Sequence, residues 1–464
     1  MPGLFQGLEL GKRALLTHQT YLQTIGHNIA NVNTPGYSRQ RVSISSTFPE
    51  HNAIGTIGTG VAVTDIRQVR DLFLGEQFRK ENKSLGQWSY KHKIMSQIEA
   101  VFGEPNSNTL SDLLNDFWDG WDDLSTNPSS TSPRVALIEN ANLLTNRFHE
   151  VAAQLNTLRD AIDGNLVAMT SNINSLTADV ARLNGQIKKQ ELGGGRANDL
   201  RDVRDQLIDE LSEYIDVNTI EQKDGQVRVF IGAMEIVNGV DQVNINTRVF
   251  NDNGTITHQL VWENSNMVVG NTNGQFKGLL DARDDIVPRY LEQLDILAQE
   301  LIQQVNSLHS TGYGLDGSTG VDFFDSACTG AASISLNTAL AQNPDRIAAS
   351  ASGEEGDNTI ALAIQDLRNQ RVMENNTTTM SDYYNSVIGK LGVEAHGAQS
   401  LSENYELLVH QVLSARESVQ GVSLDEEMTN LVKFQHAYDA AARVITTMDE
   451  ALDMVILRMG VTGR

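Results

Sequence analysis

Three stretches of the chain repeat apolar residues at helical spacing and between them set the architecture. In the first, Leu4, Leu8, Gly11, Leu15, His18, Leu22, Ile25, Ile29 and Val32 recur at alternating steps of four and three. That is the narrow heptad seam of a coiled coil, not the wider stripe of a globular helix. The last stretch repeats it with Leu431, Phe434, Tyr438, Ala441, Ile445, Met448, Leu452, Val455 and Met459. The third is the strongest, with Val151, Leu155, Leu158, Ile162, Leu166, Met169, Ile173, Leu176, Val180, Leu183 and Ile187 on one face; at about 1.5 Å per residue it spans roughly 55 Å. A shorter amphipathic helix sets Leu110, Leu114, Phe117, Trp121 and Leu124 on one side, and helices are also predicted over 198–215, 286–309 and 359–420. Within 198–215, Asp199, Asp202 and Asp205 interleave with Arg201 and Arg204, which reads as a solvated face with surface pairs.

Breaks in the pattern divide these elements. The eight prolines fall at 2, 35, 49, 105, 128, 133, 288 and 344, leaving 134–287 and the last 120 residues open to long helices. The first seam stops at Thr34-Pro35-Gly36: proline disfavours helical geometry at Thr34, and Pro-Gly suits a type II turn. From 217 to 278 the period changes to short β runs such as Val227–Ile231, separated by Asp224-Gly225, Asn238-Gly239 and Asn253-Gly254, which signals hairpins. The Gly-, Ser- and Ala-rich stretch 312–343 reads as loop with short strands. The fold class is therefore mainly α with a minor antiparallel β part: terminal coiled-coil helices flank a long-helix bundle that carries an inserted β-hairpin unit. The divisions expected are 1–36 with 424–464 as the terminal helices, 37–216 with 279–423 as the helical body, 217–278 as the β unit, and 312–343 as a loop segment.

Charge narrows the function. With 59 acidic against 35 basic residues the net charge is -24, a field that repels phosphate backbones and anionic lipid. The longest apolar run is Ile360–Ile364, far short of the roughly 20 residues of a membrane helix. Neither nucleic-acid binding nor membrane insertion is expected, and the N-terminus lacks the basic-then-apolar order of a cleaved signal peptide. The single cysteine, Cys328, excludes an internal disulfide and reads as a small neutral residue. The two ends are weakly complementary, since 424–464 carries seven acidic and four basic residues whereas 1–40 carries one acidic and three basic.

Little points to catalysis. Gly312-Tyr313-Gly314-Leu315-Asp316-Gly317 has dinucleotide-fingerprint spacing but follows a helix and enters a loop, the wrong context. No His-Glu-x-x-His or Gly-x-Ser-x-Gly occurs, and adjacent acids such as Asp122-Asp123 read as solvated charge. No enzymatic activity, metal or cofactor is expected. Phe117 and Trp121 lie on an apolar stripe and are assigned, with Trp118 beside them, to the core; His18 is assigned as a polar seam residue that sets register. A narrow seam containing Gly11 stabilises no lone helix against its backbone entropy, so both ends are expected to be mobile in the free monomer and to order together on assembly.

Several stretches carry a resemblance. Ala30-Asn31-Val32-Asn33-Thr34-Pro35-Gly36-Tyr37 resembles the N-terminal signature of bacterial flagellar rod, hook and hook-associated proteins. The runs 198–207, 278–284 and 421–427, together with Phe434, Gln435, Tyr438 and Ala440 in the last helix, resemble the hook-associated protein 1 family, so the likeness spans nearly the whole chain. It departs between Phe324 and Asp345, where larger members carry an outer β domain that is here reduced or absent. The resemblance implies a structural subunit of the extracellular flagellum at the hook-filament junction, exported unfolded through the flagellar type III channel. Its implied partners are further copies of itself, the hook protein, a second junction protein (hook-associated protein 3), and an export chaperone on the C-terminal helix. It also implies that the seam residues form the inner core of the axial tube. Leu15, Leu22, Ile25 and Ile29 are then expected to pack against Tyr438, Ile445, Leu452 and Met459 or their copies in neighbouring subunits, with Asn31, Thr34, Pro35, Gly36 and Tyr37 as the turn from inner core to outer shell. A hook or distal-rod subunit, or a wall-lytic flagellar enzyme, are the alternatives.

Overall fold

The computed structural model describes residues 2–52, 55–103, 109–252, 255–270 and 273–455. The chain opens with helix α1 (Pro2–Ala30), then a long antiparallel hairpin of β1 (Gln40–Ser46) and β4 (Val61–Gln68) whose tip carries the short strands β2 (Glu50–Asn52) and β3 (Gly55–Ile57). Strand β1 pairs along β4 from Gln40 opposite Gln68 to Ser46 opposite Val61, with a bulge at Ser43/Ile44. Neither this hairpin nor the next helix, α2 (Leu72–Phe102), is marked by the apolar periodicities above. Asp71 starts α2 by accepting the Phe73 and Leu74 amides, and Gly103 ends it at φ 73°.

The body is built on α3 (Leu110–Thr126) and α4 (Thr131–Glu191). Thr109 and Asp112 form a reciprocal capping box on α3. Pro133 falls in the first turn of α4, where its missing N–H costs nothing, and the 61 residues that follow from Thr131 run unbroken, about 90 Å. Helix α4 stops short of the Gly193–Gly195 run, and α5 (Asn198–Tyr214) follows. The β unit comes next: β5 (Val217–Glu221), β6 (Val227–Ile231), β7 (Met234–Asn238) and β8 (Asp241–Gln242) form one antiparallel sheet in that order, and β9 (Ile245–Asp252) pairs with β10 (Thr255–Trp262). Gly225 and Gly239 take φ of 83° and 61° in the predicted turns; Asn253-Gly254 lies outside the described residues.

The chain then returns to the body through α6 (Gln275–Asp281), a π-helical turn at Ala282–Ile286, and α7 (Val287–His309). The 312–343 stretch is loop with isolated β-bridges and the one-turn α8 (Thr338–Gln342). The single helix predicted over 359–420 is two, α9 (Thr359–Asp366) and α10 (Met380–Gln420). Between them Glu374, Asn375 and Asn376 all have positive φ, a conformation that asparagine tolerates and a helix does not. The last helix is α11 (Leu424–Asp453).

One apolar cluster fills the body, and Phe117, Trp118 and Trp121 are fully buried within it as assigned, beside Phe323 and Phe324. His309 is buried there too, its Nε2 accepting the Ala348 amide and its Nδ1 facing the Val321 carbonyl. Toward the terminal helices the core thins. Helices α2 and α10 pack side by side, and Phe78, Val409 and Val412 make a separate small cluster beneath the Arg416 guanidinium, 5.3 Å from the Phe78 ring centre.

The charges of α5 are only in part a solvated face: Asp199 is exposed and Asp205 half-buried. Arg201, Asp202, Arg204 and Asp209 are all buried, because α5 is wedged between α4 and the β unit on one side and the first hairpin and α2 on the other. Arg201 is held by Glu191 at 2.7 Å and Glu221 at 2.5 Å, and Arg204 donates to the Gly225 carbonyl at 2.7 Å.

Candidate assembly interface

The two terminal helices pack on each other, and the seam residues are what they share. Along α11, Leu431, Phe434, Tyr438, Ile445, Met448 and Val455 are half-buried and Ala441 and Leu452 buried, while the residues between them are mostly exposed. On α1, Ile25 is buried and Leu8, Leu15, Leu22 and Ile29 half-buried, with Val32 half-buried just past the helix end. The backbone of Leu4 belongs to α1; Met459 lies outside the described residues.

Contacts along the pair fix its direction, which the heptad spacing leaves open. A Cβ on Gly7 would lie 2.9 Å from Met448 Cε, and one on Gly11 2.7 Å from Ile445 Cγ1. Further along, the Tyr21 ring stacks on Phe434 at 4.0 Å, with His18 6.1 Å from the same ring. Asn28 and Glu427 line the same hollow at the other end of the pair. The helices are therefore antiparallel within the chain, as they must be when both leave the same joint: Ala30 ends one there and Leu424 starts the other. The two glycines are not weak points in the seam, because their missing side chains let the helices approach.

The turn is built as predicted. Tyr37 N donates to Thr34 O at 3.2 Å, closing a four-residue turn in which Gly36 has φ 75°, the position of a type II turn that favours glycine. Asn31 donates back to the His27 carbonyl at 3.0 Å, and Thr34 Oγ1 donates to Asn31 Oδ1 at 3.1 Å. Pro35 is exposed.

Beneath the turn lies a set of polar residues that apolar periodicity does not single out. The Asn28 side chain accepts from Tyr37 Oη at 2.7 Å and Gln40 N at 2.9 Å and donates to Gln40 O at 3.0 Å, so one amide ties the helix end to β1. Glu427 is buried beside it, and burial pushes its carboxyl up against the pull of the Asn28 bond and of Arg39. Arg39 pairs with Glu426 at 2.6 Å. From α5, Asp199 accepts from Gln40 Nε2 at 2.7 Å and faces His27 Nε2 at 3.1 Å. Asp202 accepts from Ser38 N at 3.1 Å and Gln68 Nε2 at 2.7 Å. Burial pushes the Asp202 carboxyl up, while Ser38 and Arg70 pull it down. One signal was available: Asn198, Asp202, Asp205 and Asp209 recur at steps of four, three and four, the spacing of an apolar seam written in polar residues. Among the described residues, no group of three or more His, Cys, Asp or Glu side chains could hold a metal ion, and no helix is long and apolar enough to cross a membrane.

Known protein families match three stretches of the chain. Residues 95–324 match the flagellar hook-associated protein FlgK helical domain, 8–37 the flagella basal body rod protein family and 417–459 the flagellar basal body rod FlgEFG protein C-terminal family. The flagellar hook junction protein FlgK of Burkholderia pseudomallei has a similar structure, with TM-score 0.65 over 74% of this chain and all of that one, at 16% identity. Flagellar hook-associated protein 1 of Salmonella typhimurium is 24% identical over 94% of this chain and 97% of its own. The protein of the same name from Bacillus subtilis is 32% identical over the full length of both chains. With the helical-domain match spanning α3 to α7 and full-length identity at that level, the chain belongs to the flagellar hook-associated protein 1 family.

Proposed function

We propose that this structural subunit of the hook-filament junction polymerises through its terminal pair, α1 and α11 of neighbouring copies lying side by side round an axial tube. The observation that carries the reading is an unpartnered outer face. The seam is occupied within the chain, yet Phe5 is 62%, Leu16 54% and Val432 50% exposed, with Leu10, Met428 and Val444 also open to solvent. Apolar area of this kind on long helices is stabilised by helices of other subunits. In this reading the seam holds each pair together, its outer face joins copies, and the turn at Thr34–Tyr37 redirects the chain from inner core to outer shell.

The partners follow from position at the junction: hook protein on one side and the second junction protein, hook-associated protein 3, on the other. The site is extracellular, reached through the flagellar type III channel. Before export the apolar residues of 431–459 bind a dedicated chaperone; a truncation at Val422 that still bound it would rule that site out. The test of the main reading is Leu16→Glu with Val432→Glu in a strain that makes hooks but no filaments. The wild-type chain restores filaments. The double variant is exported and keeps its body folded but leaves the hooks bare; filaments of normal number would overturn the reading.

A further inference from the structure

We propose that the polar edge of α5 is a clamp that fixes the angle of the terminal pair against the body, with Asp199 and Asp202 as its positioning residues. Three separate segments converge on this edge: the end of α1, the stretch leaving the turn, and the end of β4. Both Asp202 oxygens are spent on them, Oδ2 on Ser38 N and Oδ1 on Gln68 Nε2. Asp199 Oδ1 takes Gln40 Nε2 and faces His27 Nε2. The helix start adds two more bonds, since Asn198 Nδ2 donates to Ile66 O at 2.9 Å and Asn198 O accepts from Gln68 Nε2 at 2.9 Å. One helical turn on, Gly36 sits so close to Gln206 that a Cβ would lie 3.0 Å from its Oε1.

A contact made of directional bonds differs from an apolar one of equal area. Hydrogen bonds have narrow angular limits, so several of them specify one orientation, while each contributes little net free energy because water replaces it when it breaks. Such a joint holds an angle firmly and releases it without unfolding either side. The stripe continues along α5 to Asp209, which takes Arg79 of α2 at 2.7 Å and Arg416 of α10 at 2.6 Å, so the body end of the clamp is itself braced. The clamp is independent of how subunits polymerise and stands or falls on the single chain.

The test uses the full chain with Cys328→Ser and paired spin labels on introduced cysteines. Ala178→Cys with His436→Cys reads the pair against the body, and Gln23→Cys with Thr446→Cys reads the inside of the pair; all four positions are exposed. The parent is expected to give one narrow distance for each. Asp199→Ala with Asp202→Ala broadens the first at least twofold. It leaves the second distance, and the near-ultraviolet signal of Trp118 and Trp121, unchanged. Asp199→Asn with Asp202→Asn keeps one acceptor at each position and gives an intermediate width. Gln40→Ala with Gln68→Ala reproduces the broadening from the other side of the contact. A parent already as broad as the variants, alanine variants as narrow as the parent, or broadening that comes with loss of the second distance would each overturn the proposal.

Discussion

The body and the terminal pair are both made of long helices, and they are held by opposite means. Around Trp121 the body closes on itself: Phe117, Trp118, Phe323 and Phe324 are fully buried, with ring edges against ring faces at 5.0 to 6.3 Å. In the terminal pair, of the apolar and small seam residues whose burial is described, only Gly11, Ile25, Ala441 and Leu452 are buried, and the neighbouring outer face is left open. Between the two lies the α5 joint, where nearly every specific contact is a hydrogen bond or ion pair. An apolar core specifies that a region folds, a polar joint specifies where it points, and an open seam leaves something for another chain to complete.

The largest test of that contrast is in the body. Trp121→Ala removes a side chain with no exposed surface and should cost about 3–5 kcal/mol, read as a lower denaturant midpoint of body fluorescence. Hydrogen exchange in α11 should stay as it was. Coupled loss in both would mean that the two regions fold as one unit.

A pH titration comes next. Burial in the body holds the His309 imidazole at about 4 against an ordinary 6.5. Below pH 6.5 the unfolded chain takes up a proton that the folded one refuses, so stability falls as pH drops from 6.5 to 4 and levels off beneath. The loss should reach roughly 3 kcal/mol, and His309→Gln should flatten that part of the profile. An unchanged profile would place the acid sensitivity elsewhere.

Gly11→Val acts on the other region. Its side chain must enter space that Ile445 Cγ1 already occupies, 2.7 Å from the Cβ position, at about 1–3 kcal/mol. Amides of α1 and α11 should exchange faster while those of α4 do not. Gly36→Ala is the smallest change, about 1 kcal/mol for a left-handed φ, and should show as faster exchange at Tyr37 N alone.

The same contrast explains what could be read in advance. The seams, the long α4 and the Phe117–Trp121 stripe were legible because apolar burial leaves a period in the sequence. The pairing direction was not, because a heptad looks alike from either end; the joint that both helices leave decides it. Helix α2 leaves a weaker period because its first half presents Gly75, Phe78, Asn82 and Gly86, a mixed set, and only its second half buries the apolar Ile94, Met95, Ile98 and Phe102. The burial of Asp202 is hidden for a related reason. Spacing reveals that Asp202 occupies a helical face, but whether water or protein covers that face is set by segments more than a hundred residues away, such as Ser38 and Gln68.

The antiparallel register also sets a timetable. Gly7 and Met448 end up touching, so the partner of the first helix is among the last residues to be synthesised. At 5–20 residues per second, a nascent α1 waits roughly 20 to 90 seconds before α11 exists. The body, whose α3 and α4 are neighbours in sequence, can collapse meanwhile. Contacts of such long range form slowly even in a finished chain. For that interval α1 offers its seam to any helix of suitable spacing, including the α1 of another nascent chain on the same message.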